Sequence, residues 1–234
     1  MTDPAAATML DRPFADMQAM LEFLRARGFT PGFVVDVGAN RGHWTEMLKS
    51  VFPAAEVLML EPQPEMREPL NELCARLPGL RWVETAVGAR DETRLQTIWE
   101  DLQGSSFLPR PDPERVARAE QRPARVRRLD DLLQEHASPV PDLVKLDVQG
   151  FELEVLRGSP SIFGRTEVFI VETSLYDFLD DIPLLREVIA FMAEREYEVY
   201  DLAGQFRRPI DGALGQLDVV FARRRGLLRQ HDLW

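Results

Sequence analysis

Four acidic residues each close a short apolar run of this chain, at a place where a buried strand is expected to end. They are Asp36, Glu61, Asp147 and Glu172. Acidic side chains are seldom buried at such places without a partner. In an open sheet of parallel strands, a ligand binds outside the carboxyl ends of the strands, where the strand order reverses. The four acids are therefore candidates for a ligand site.

A glycine-bounded turn follows the first of these acids. Residues 33–37 are apolar apart from Asp36, the turn 38–42 reads Gly-Ala-Asn-Arg-Gly, and residues 43–51 have the pattern of a helix. Glycine lets the backbone approach a ligand closely, and the first turn of a helix offers free N–H groups. A strand that turns tightly into a helix in this way is typical of a ligand cradle.

The spacing of the acids favours one kind of cofactor. Glu61 follows Gly38 by 23 residues (61 − 38), which suits a carboxylate that bonds the two hydroxyls of a ribose. The turn lacks the G-x-G-x-x-G spacing of dinucleotide-binding proteins, and Asp36 beside it would repel a pyrophosphate. A cofactor with a ribose and a positive centre fits better, and S-adenosylmethionine has both.

Apolar runs alternate with segments of helical periodicity along most of the chain, which predicts a parallel sheet covered by helices on both faces. The predicted parallel strands span residues 33–37, 57–60, 80–86, 143–147 and 168–171. The last two strands, residues 197–201 and 217–222, are joined only by a loop, and antiparallel strands can be joined in this direct way. We therefore expect an α/β fold with an antiparallel last strand.

Two further segments lie outside this pattern. Asp11 is expected to cap an N-terminal helix that has Pro13 in its first turn and an apolar face from Phe14 to Leu24. This helix either covers the ligand site, closes one face of the sheet or packs against a partner, so a homodimer stays open. Residues 100–125 are rich in Pro, Arg, Asp and Glu and predict a long loop, which in a compact domain is usually functional or mobile.

The composition is that of an acidic globular chain. Its 28 Lys and Arg residues oppose 39 Asp and Glu residues, so the formal net charge is −11, which argues against nucleic acid as a partner. The chain has a single cysteine, no signal-peptide pattern at its start, and no apolar run near the roughly 18–20 residues of a membrane span. We expect a cytoplasmic protein without membrane contact. Its expected parts are a helical extension (1–30), one domain (31–223) and a tail (224–234).

Four segments of the chain together resemble the FkbM family of S-adenosylmethionine-dependent methyltransferases. They are residues 35–42 (VDVGANRG), 61–62 (EP), 129–133 (LDDLL) and 145–158 (KLDVQGFELEVLRG). The resemblance covers residues 33–222, and the chain departs from the family at Gln149, where glutamate is usual. It implies the class I methyltransferase fold, a Rossmann-like and mostly parallel sheet with an antiparallel last strand and helices on both faces. The family is associated with O-methylation of sugar and polyketide hydroxyls.

The resemblance also implies where the cofactor binds. The residues expected at its methionine end are Asp36, Gly38, Ala39, Asn40 and Gly42. Those expected at its ribose and adenine are Glu61, Pro62, Ala86 and Val87. Ser106, in the long loop, is expected to bond the cofactor carboxylate unless it only forms a turn.

Methyl transfer from a sulfonium is an in-line displacement, so the protein mainly supplies position, which is worth about 7–11 kcal/mol of the barrier. A placed base adds about 10²–10⁴-fold when the acceptor is an alcohol. We expect Asp147 to be this base; its alternative roles are to cap the turn 148–150 or to bind the cofactor amino group. His43 is a second candidate, because its ordinary pKa lies near neutrality, with packing at the helix start as the alternative.

Three residues are expected on the acceptor side: Ser105, Glu172 and Tyr176. Asp147 and Glu172 present the oxygen ligands that magnesium prefers, so a divalent metal shared with a substrate diol is an alternative. The pattern does not require such a metal, and no His/Cys cluster has zinc spacing.

Together these features predict an O-methyltransferase that acts on a hydroxyl of a sugar, a glycan or a polyketide-type small molecule. One alternative is an NAD-dependent oxidoreductase of Rossmann type, which the missing third glycine disfavours. Another is a non-catalytic nucleoside-binding module, which the complete set of acids disfavours.

Overall fold

The computed structural model describes residues 12–110, 112–118 and 120–231 of the chain. The helices are α1 (Met17–Ala26), α2 (His43–Val51), α3 (Arg67–Arg76), α4 (Pro113–Ala117), α5 (Leu129–Glu135), α6 (Glu152–Arg157) and α7 (Leu185–Ala193). The strands are β1 (Phe33–Val37), β2 (Glu56–Leu60), β3 (Leu80–Val83), β4 (Ala86–Val87), β5 (Glu92–Thr97), β6 (Gln121–Arg127), β7 (Leu143–Leu146), β8 (Val168–Ser174), β9 (Tyr197–Arg207) and β10 (Leu214–Arg223).

A seven-stranded sheet forms the centre of the molecule, in the order β3-β2-β1-β7-β8-β10-β9. The first five strands of this order are parallel, and β10 runs antiparallel to both β8 and β9. The predicted fold class, mostly parallel with an antiparallel last strand, is therefore confirmed. The strand order reverses between β1 and β7, and this point is where such sheets bind ligands.

Helices cover both faces of the sheet because each contributes one apolar side. Helices α1, α2 and α3 pack on one face, and α5, α6 and α7 pack on the other. The side chains that α1 buries are Met20, Leu21 and Leu24. The predicted N-terminal helix therefore closes one face of this chain's own sheet, which was one of the three alternatives.

The start of α1 differs from the prediction. The side chain of Asp16 accepts a hydrogen bond from the main-chain N–H of Ala19 at 2.8 Å, so Asp16 is the N-cap and the helix begins at Met17. Phe14, which was assigned to the apolar face, precedes the helix and is 69% exposed. Asp11, the predicted cap, lies outside the described residues.

Residues 100–125 are not one long loop. They contain α4 and most of β6, and β6 joins β4 and β5 in a second, three-stranded sheet. The strand was hidden from an apolar pattern because it is rich in arginine and contains Pro123. That proline is tolerated because β4 pairs with β6 only at Val126 and Arg127, which leaves β6 with one neighbouring strand at Pro123.

Candidate functional site

A cavity of about 430 Å³ lies at the carboxyl ends of β1, β2, β7 and β8. Its volume is within the range of small-molecule sites, about 300–1,000 Å³. Glu61 and Ala86 line one end, and Glu172 and Asp218 line the other. The predicted strand ends therefore meet around one chamber that is large enough for a ligand.

The turn between β1 and α2 requires glycine at both of its ends. Gly38 has φ +81° and Gly42 has φ +80°, in the left-handed region that favours glycine. A Cβ on Gly38 would lie 1.9 Å from the main-chain oxygen of Asp147, and one on Gly42 would lie 2.3 Å from Cδ2 of Leu73. Gly38 lines the cavity with its neighbours Ala39 and Asn40, whereas Gly42 packs behind the turn against α3.

Asp36 lies beneath the cavity wall and not in it. Its side chain is fully buried, and Oδ2 accepts a hydrogen bond from Oγ1 of Thr45 at 2.7 Å. Within the described part of the chain, Oδ1 has no partner. Burial raises the pKa of Asp36, and the nearby charge of Lys145 opposes that shift. Any influence of Asp36 on the cofactor therefore passes through its neighbours.

Glu61 presents a buried carboxylate to the cavity. It is 3% exposed and lines the cavity, and Oε2 accepts the main-chain N–H of Asn40 at 2.8 Å. Oε1 accepts two hydrogen bonds from Gln63, from the main chain at 3.0 Å and from the side chain at 3.2 Å. Burial raises the pKa of Glu61, while these hydrogen bonds oppose the shift. A carboxylate accepts about four hydrogen bonds, so Oε2 keeps a lone pair for a ribose hydroxyl.

Residues 99–106, here called the covering segment, close the cavity over Glu61. The carbonyl oxygen of Leu102 accepts hydrogen bonds from Nδ2 of Asn40 at 3.1 Å and from Nε2 of Gln63 at 2.9 Å. Ser105 lines the cavity and donates to Oε1 of Gln63 at 3.1 Å. Ser106 is buried outside the lining and donates to the main-chain oxygen of Gln149 at 2.7 Å. The two serines therefore differ in role, and Ser106 fixes the segment to the turn after β7.

The opposite end of the cavity holds a cluster of charged and amide groups. Nζ of Lys145 donates to Oδ2 of Asp147 at 2.9 Å. Nε2 of Gln149 donates to Oδ1 of Asp147 at 2.8 Å and to Oε2 of Glu172 at 2.7 Å. Gln149 has φ +52°, so its backbone is held in the left-handed region. One amide therefore bridges the predicted base, Asp147, and the predicted acceptor contact, Glu172.

The surroundings drive the pKa values of these two acids apart. Burial alone would raise the pKa of Asp147, but the charge of Lys145 and the hydrogen bonds that reach Asp147 lower it. Burial raises the pKa of Glu172 well above its ordinary value, and the neighbouring charges of Asp147, Glu152 and Asp218 add to the shift. The charge of Asp147 outweighs burial at Lys145 and raises the pKa of that ammonium. Carboxyls in such different surroundings suit different roles.

The other predicted residues fall inside and outside the cavity. Its lining includes His43, which is exposed at the first residue of α2, and also Pro62, Ala86 and Val87, which lie at the same end as Glu61. Tyr176 does not line the cavity; it is exposed on the loop after β8, where the guanidinium of Arg208 lies 3.9 Å from its ring centroid.

Asp218 and Trp44 are among the lining residues that were missed from the sequence. Asp218 lies on β10, directly opposite Glu172 on β8 and Gly204 on β9. A Cβ on Gly204 would lie 2.0 Å from Oδ2 of Asp218, so this glycine makes room for the acid. Trp44 lies over Lys145, with Nζ 5.8 Å from its ring centroid. A lone acid inside the apolar run 217–222 was the available signal for Asp218.

Neither a metal-binding cluster nor a membrane-spanning helix is found in the part of the chain that the structure describes. Among residues 12–110, 112–118 and 120–231, no group of three or more His, Cys, Asp or Glu side chains is arranged to hold a metal ion. Nor does any helix in these ranges have the length and apolar character to cross a membrane.

Comparison with known proteins shows which family shares these features. A family model described as the methyltransferase FkbM domain matches residues 36–199. Methyltransferase sdnD of Sordaria araneosa is 29% identical over 154 residues, and the match spans 54% of this chain and 60% of sdnD. The 2-O-methyltransferase NoeI of Sinorhizobium fredii is 25% identical, and the match spans 76% of each protein.

Among solved structures, the fold is shared by the N-methyltransferase NodS of Bradyrhizobium japonicum WM9 in complex with S-adenosyl-L-homocysteine. The TM-score is 0.50 at 12% sequence identity, with 95% of this chain and 93% of NodS covered.

Proposed function

Because this chain belongs to the FkbM methyltransferase family and its cofactor is S-adenosylmethionine, we propose that it methylates a hydroxyl oxygen of a sugar, a glycan or a polyketide-type natural product. The observation that carries the proposal is the single cavity that joins Glu61 at one end to Asp147 and Glu172 at the other. The naming of NoeI as a 2-O-methyltransferase supports transfer to oxygen.

The end of the cavity at Glu61, here called the donor end, is assigned to the cofactor. The main chain of Gly38, Ala39 and Asn40 faces its methionine end, and the free lone pair of Glu61 accepts from its ribose. The apolar residues that flank the adenine are Pro62, Ala86 and Val87. When bound, the cofactor supplies a methyl group that is already activated for displacement by an oxygen nucleophile.

The opposite end of the cavity, here called the acceptor end, favours an acceptor molecule without charge. Asp147, Glu172 and Asp218 line it, and Lys145 is the one cation among the cavity's lining residues at this end. A carboxylate or phosphate on the acceptor would meet three acids against a single ammonium and would be repelled. Hydroxyl groups can donate to the same acids, so a polyol such as a sugar fits this end.

A hydroxyl oxygen must lose its proton when it is methylated, so the acceptor end also needs a base. The groups of the lining that can accept a proton include Asp147 and Glu172 at this end and His43 at the start of α2. The orientation of the hydroxyl toward one of them is the protein's main contribution to the reaction, since the methyl group needs no further activation.

The extent of the catalytic unit follows the cavity. Helix α1 contributes Met17 to the lining, and helix α2, the turn after β1, the strand ends and the covering segment contribute most of the remainder. We assign catalysis to residues 31–223, with the N-terminal extension closing the chamber from the side of α1 and α2.

The test is methyl transfer with purified protein, S-adenosylmethionine and a panel of methyl glycosides and hydroxylated polyketides. We expect release of S-adenosylhomocysteine together with a methylated product in mass spectrometry, and binding of S-adenosylhomocysteine but not NAD in calorimetry. Binding of S-adenosylhomocysteine without methylation of any hydroxyl in the panel would contradict the proposal and favour a non-catalytic binding role. Tight NAD binding would instead favour an oxidoreductase.

A further inference from the structure

We propose that Glu172, rather than Asp147, accepts the proton of the acceptor hydroxyl, and that Gln149 is the residue that positions it. The inference rests on the proposed transfer to oxygen. It assigns to Glu172 a role different from the substrate contact expected from sequence, and to Asp147 a role different from that of the base.

The first argument is the occupancy of the carboxylate oxygens. Both oxygens of Asp147 already accept hydrogen bonds, Oδ2 from Lys145 and Oδ1 from Gln149. Glu172 accepts from Gln149 at Oε2. Across the described residues, no N–H group donates to its Oε1, and the carboxyl of Glu172 also lies within hydrogen-bonding reach of Asp147. A base needs an oxygen that can meet the reacting hydroxyl, and Glu172 has one.

The second argument is the charge around each acid. Asp147 lies 2.9 Å from the ammonium of Lys145, which stabilises its ionised form and weakens it as a base. Glu172 faces Lys145 and Asp147 at the end of β7, Glu152 from α6 and Asp218 from β10, so acids outnumber the single cation around it. Its pKa is accordingly raised well above the ordinary value, by burial first and by these charges next. A carboxylate whose pKa is raised takes up a proton more readily than one whose pKa is lowered, which favours Glu172 over Asp147 as the base.

The step balances without any further reactant. The acceptor oxygen gives its proton to Oε1 of Glu172 as it gains the methyl group, and the electron pair of the broken carbon–sulfur bond stays on sulfur. A neutral alcohol becomes a neutral ether. The positive charge of the donor is cancelled as the carboxylate takes up the proton, and that proton then leaves to solvent.

Gln149 holds the two acids in this arrangement. Its amide has two hydrogens, and one goes to each carboxylate. The left-handed backbone of Gln149 and the hydrogen bond from Ser106 to its carbonyl oxygen fix the residue at the turn. Because a hydrogen-bond donor favours the ionised form of its partner, loss of the amide is expected to raise the pKa of Glu172.

The kinetic test uses the methyl glycoside that the panel shows to be methylated, between about pH 5 and about pH 9. We expect Glu172→Gln to lower kcat by about 10²-fold or more and to remove the acid limb of the pH profile. Asp147→Asn is expected to lower kcat by a smaller factor and to keep the acid limb of the pH profile. Gln149→Leu is expected to move the limb to higher pH with KM unchanged, a shift that a purely structural role would not produce. Loss of the limb in Asp147→Asn, with the limb intact in Glu172→Gln, would overturn the assignment.

Folding and cofactor binding are checked in each variant by its affinity for S-adenosylhomocysteine and its thermal midpoint. Glu72→Gln, on the exposed side of α3, is the matched control for exchange of a carboxylate for an amide, and we expect wild-type kinetics from it.

A second measurement needs no acceptor. The pKa values of carbon-13-labelled carboxyl groups are measured by NMR titration of the complex with S-adenosylhomocysteine. The signals of Glu172 and Asp147 are assigned as those that disappear in Glu172→Gln and in Asp147→Asn. We expect Glu172 to titrate at the higher pH, and the reverse order would overturn its assignment as the base. A panel without any methylated hydroxyl would instead count against the proposed function, while this titration still decides between the two acids.

Discussion

At the scale of single residues, Glu61 combines two tasks. Its carboxylate accepts hydrogen bonds from Asn40 and Gln63, which fixes the turn and the covering segment, and it still lines the cavity. The side chain is therefore expected to be held in place before any ligand arrives. Such a preorganised acceptor loses little conformational freedom when a ribose binds.

We expect Glu61→Ala to lower the affinity for S-adenosylhomocysteine by at least about 10-fold, because one hydrogen bond to a charged group contributes about 1.5–3 kcal/mol. Calorimetry measures the affinity, and the thermal midpoint reports whether the variant is folded. Glu68→Ala, an exposed residue of α3, is the control and should bind normally. Unchanged affinity in a folded Glu61→Ala variant would remove Glu61 from the cofactor site.

Individual acids were predicted from sequence with uneven success, for a physical reason. A carboxylate at the end of an apolar run signals a strand end, and Glu61, Asp147 and Glu172 do line the cavity. The depth of a side chain is not encoded in that signal. Asp36 lies beneath the wall, and Asp218 enters it from the antiparallel β10, where the residue opposite Glu172 depends on register between distant strands.

At the scale of elements, the turn after β1 packs directly against the end of β7. It brings Gly38 against the main chain of Asp147, so the ends of β1 and β7 approach more closely than any side chain would allow. The cavity and the cluster at its acceptor end are therefore built on the same contact.

Gly38→Ala is expected to destabilise the fold by about 2 kcal/mol or more and to weaken cofactor binding, because it adds a steric clash to the strain of a positive φ. Gly28→Ala is the matched control. Gly28 has φ +84°, but no atom lies within 4 Å of the position that a Cβ would take, so only backbone strain of about 1 kcal/mol is expected. Urea unfolding measures both variants, and equal losses would show that the clash at Gly38 is relieved.

Elements were predictable where their periodicity is apolar. The parallel strands β1, β2, β7 and β8 are buried along most of their length, so their apolar runs identified them. The three-stranded sheet was missed because β6 carries three arginines and a proline, and its pairing with β5 rather than its own pattern makes it a strand. The start of α1 was displaced because Asp11 and Asp16 carry the same capping signal.

At the scale of the whole molecule, burial of acids makes stability depend on pH. Glu152 is buried behind the cavity, and burial, with the charge of Asp147 adding to it, raises its pKa to about 7. Its Oε1 accepts the main-chain N–H groups of Val148 and Gly150, each at 3.1 Å. A carboxyl with a raised pKa in the folded state stabilises the fold below its unfolded pKa, and that contribution is lost as the pH rises through the folded value.

We therefore expect Glu152 to cost the folded state on the order of 3 kcal/mol as the pH rises from about 4.5 to about 7. Glu152→Gln keeps an oxygen for the two N–H groups but cannot ionise. The free energy of unfolding of the variant, relative to wild type, should be higher at about pH 8 than at about pH 5. Urea denaturation at both pH values measures the difference, and the same pH dependence in both proteins would contradict the expectation.

The covering segment has a consequence for how the chamber is encoded. The main chain of Ser106 in this segment pairs with that of Thr97 at the end of β5. The three strands of the second sheet all lie between β3 and α5 along the chain. One contiguous stretch, residues 88–127, thus supplies the cover, whereas the acids of the chamber come from the seven-stranded sheet. The cover and the reactive carboxylates are therefore encoded in separate stretches of the chain, and a graft of residues 88–127 would keep the carboxylate cluster in place only if it kept the hydrogen bond from Ser106 to Gln149.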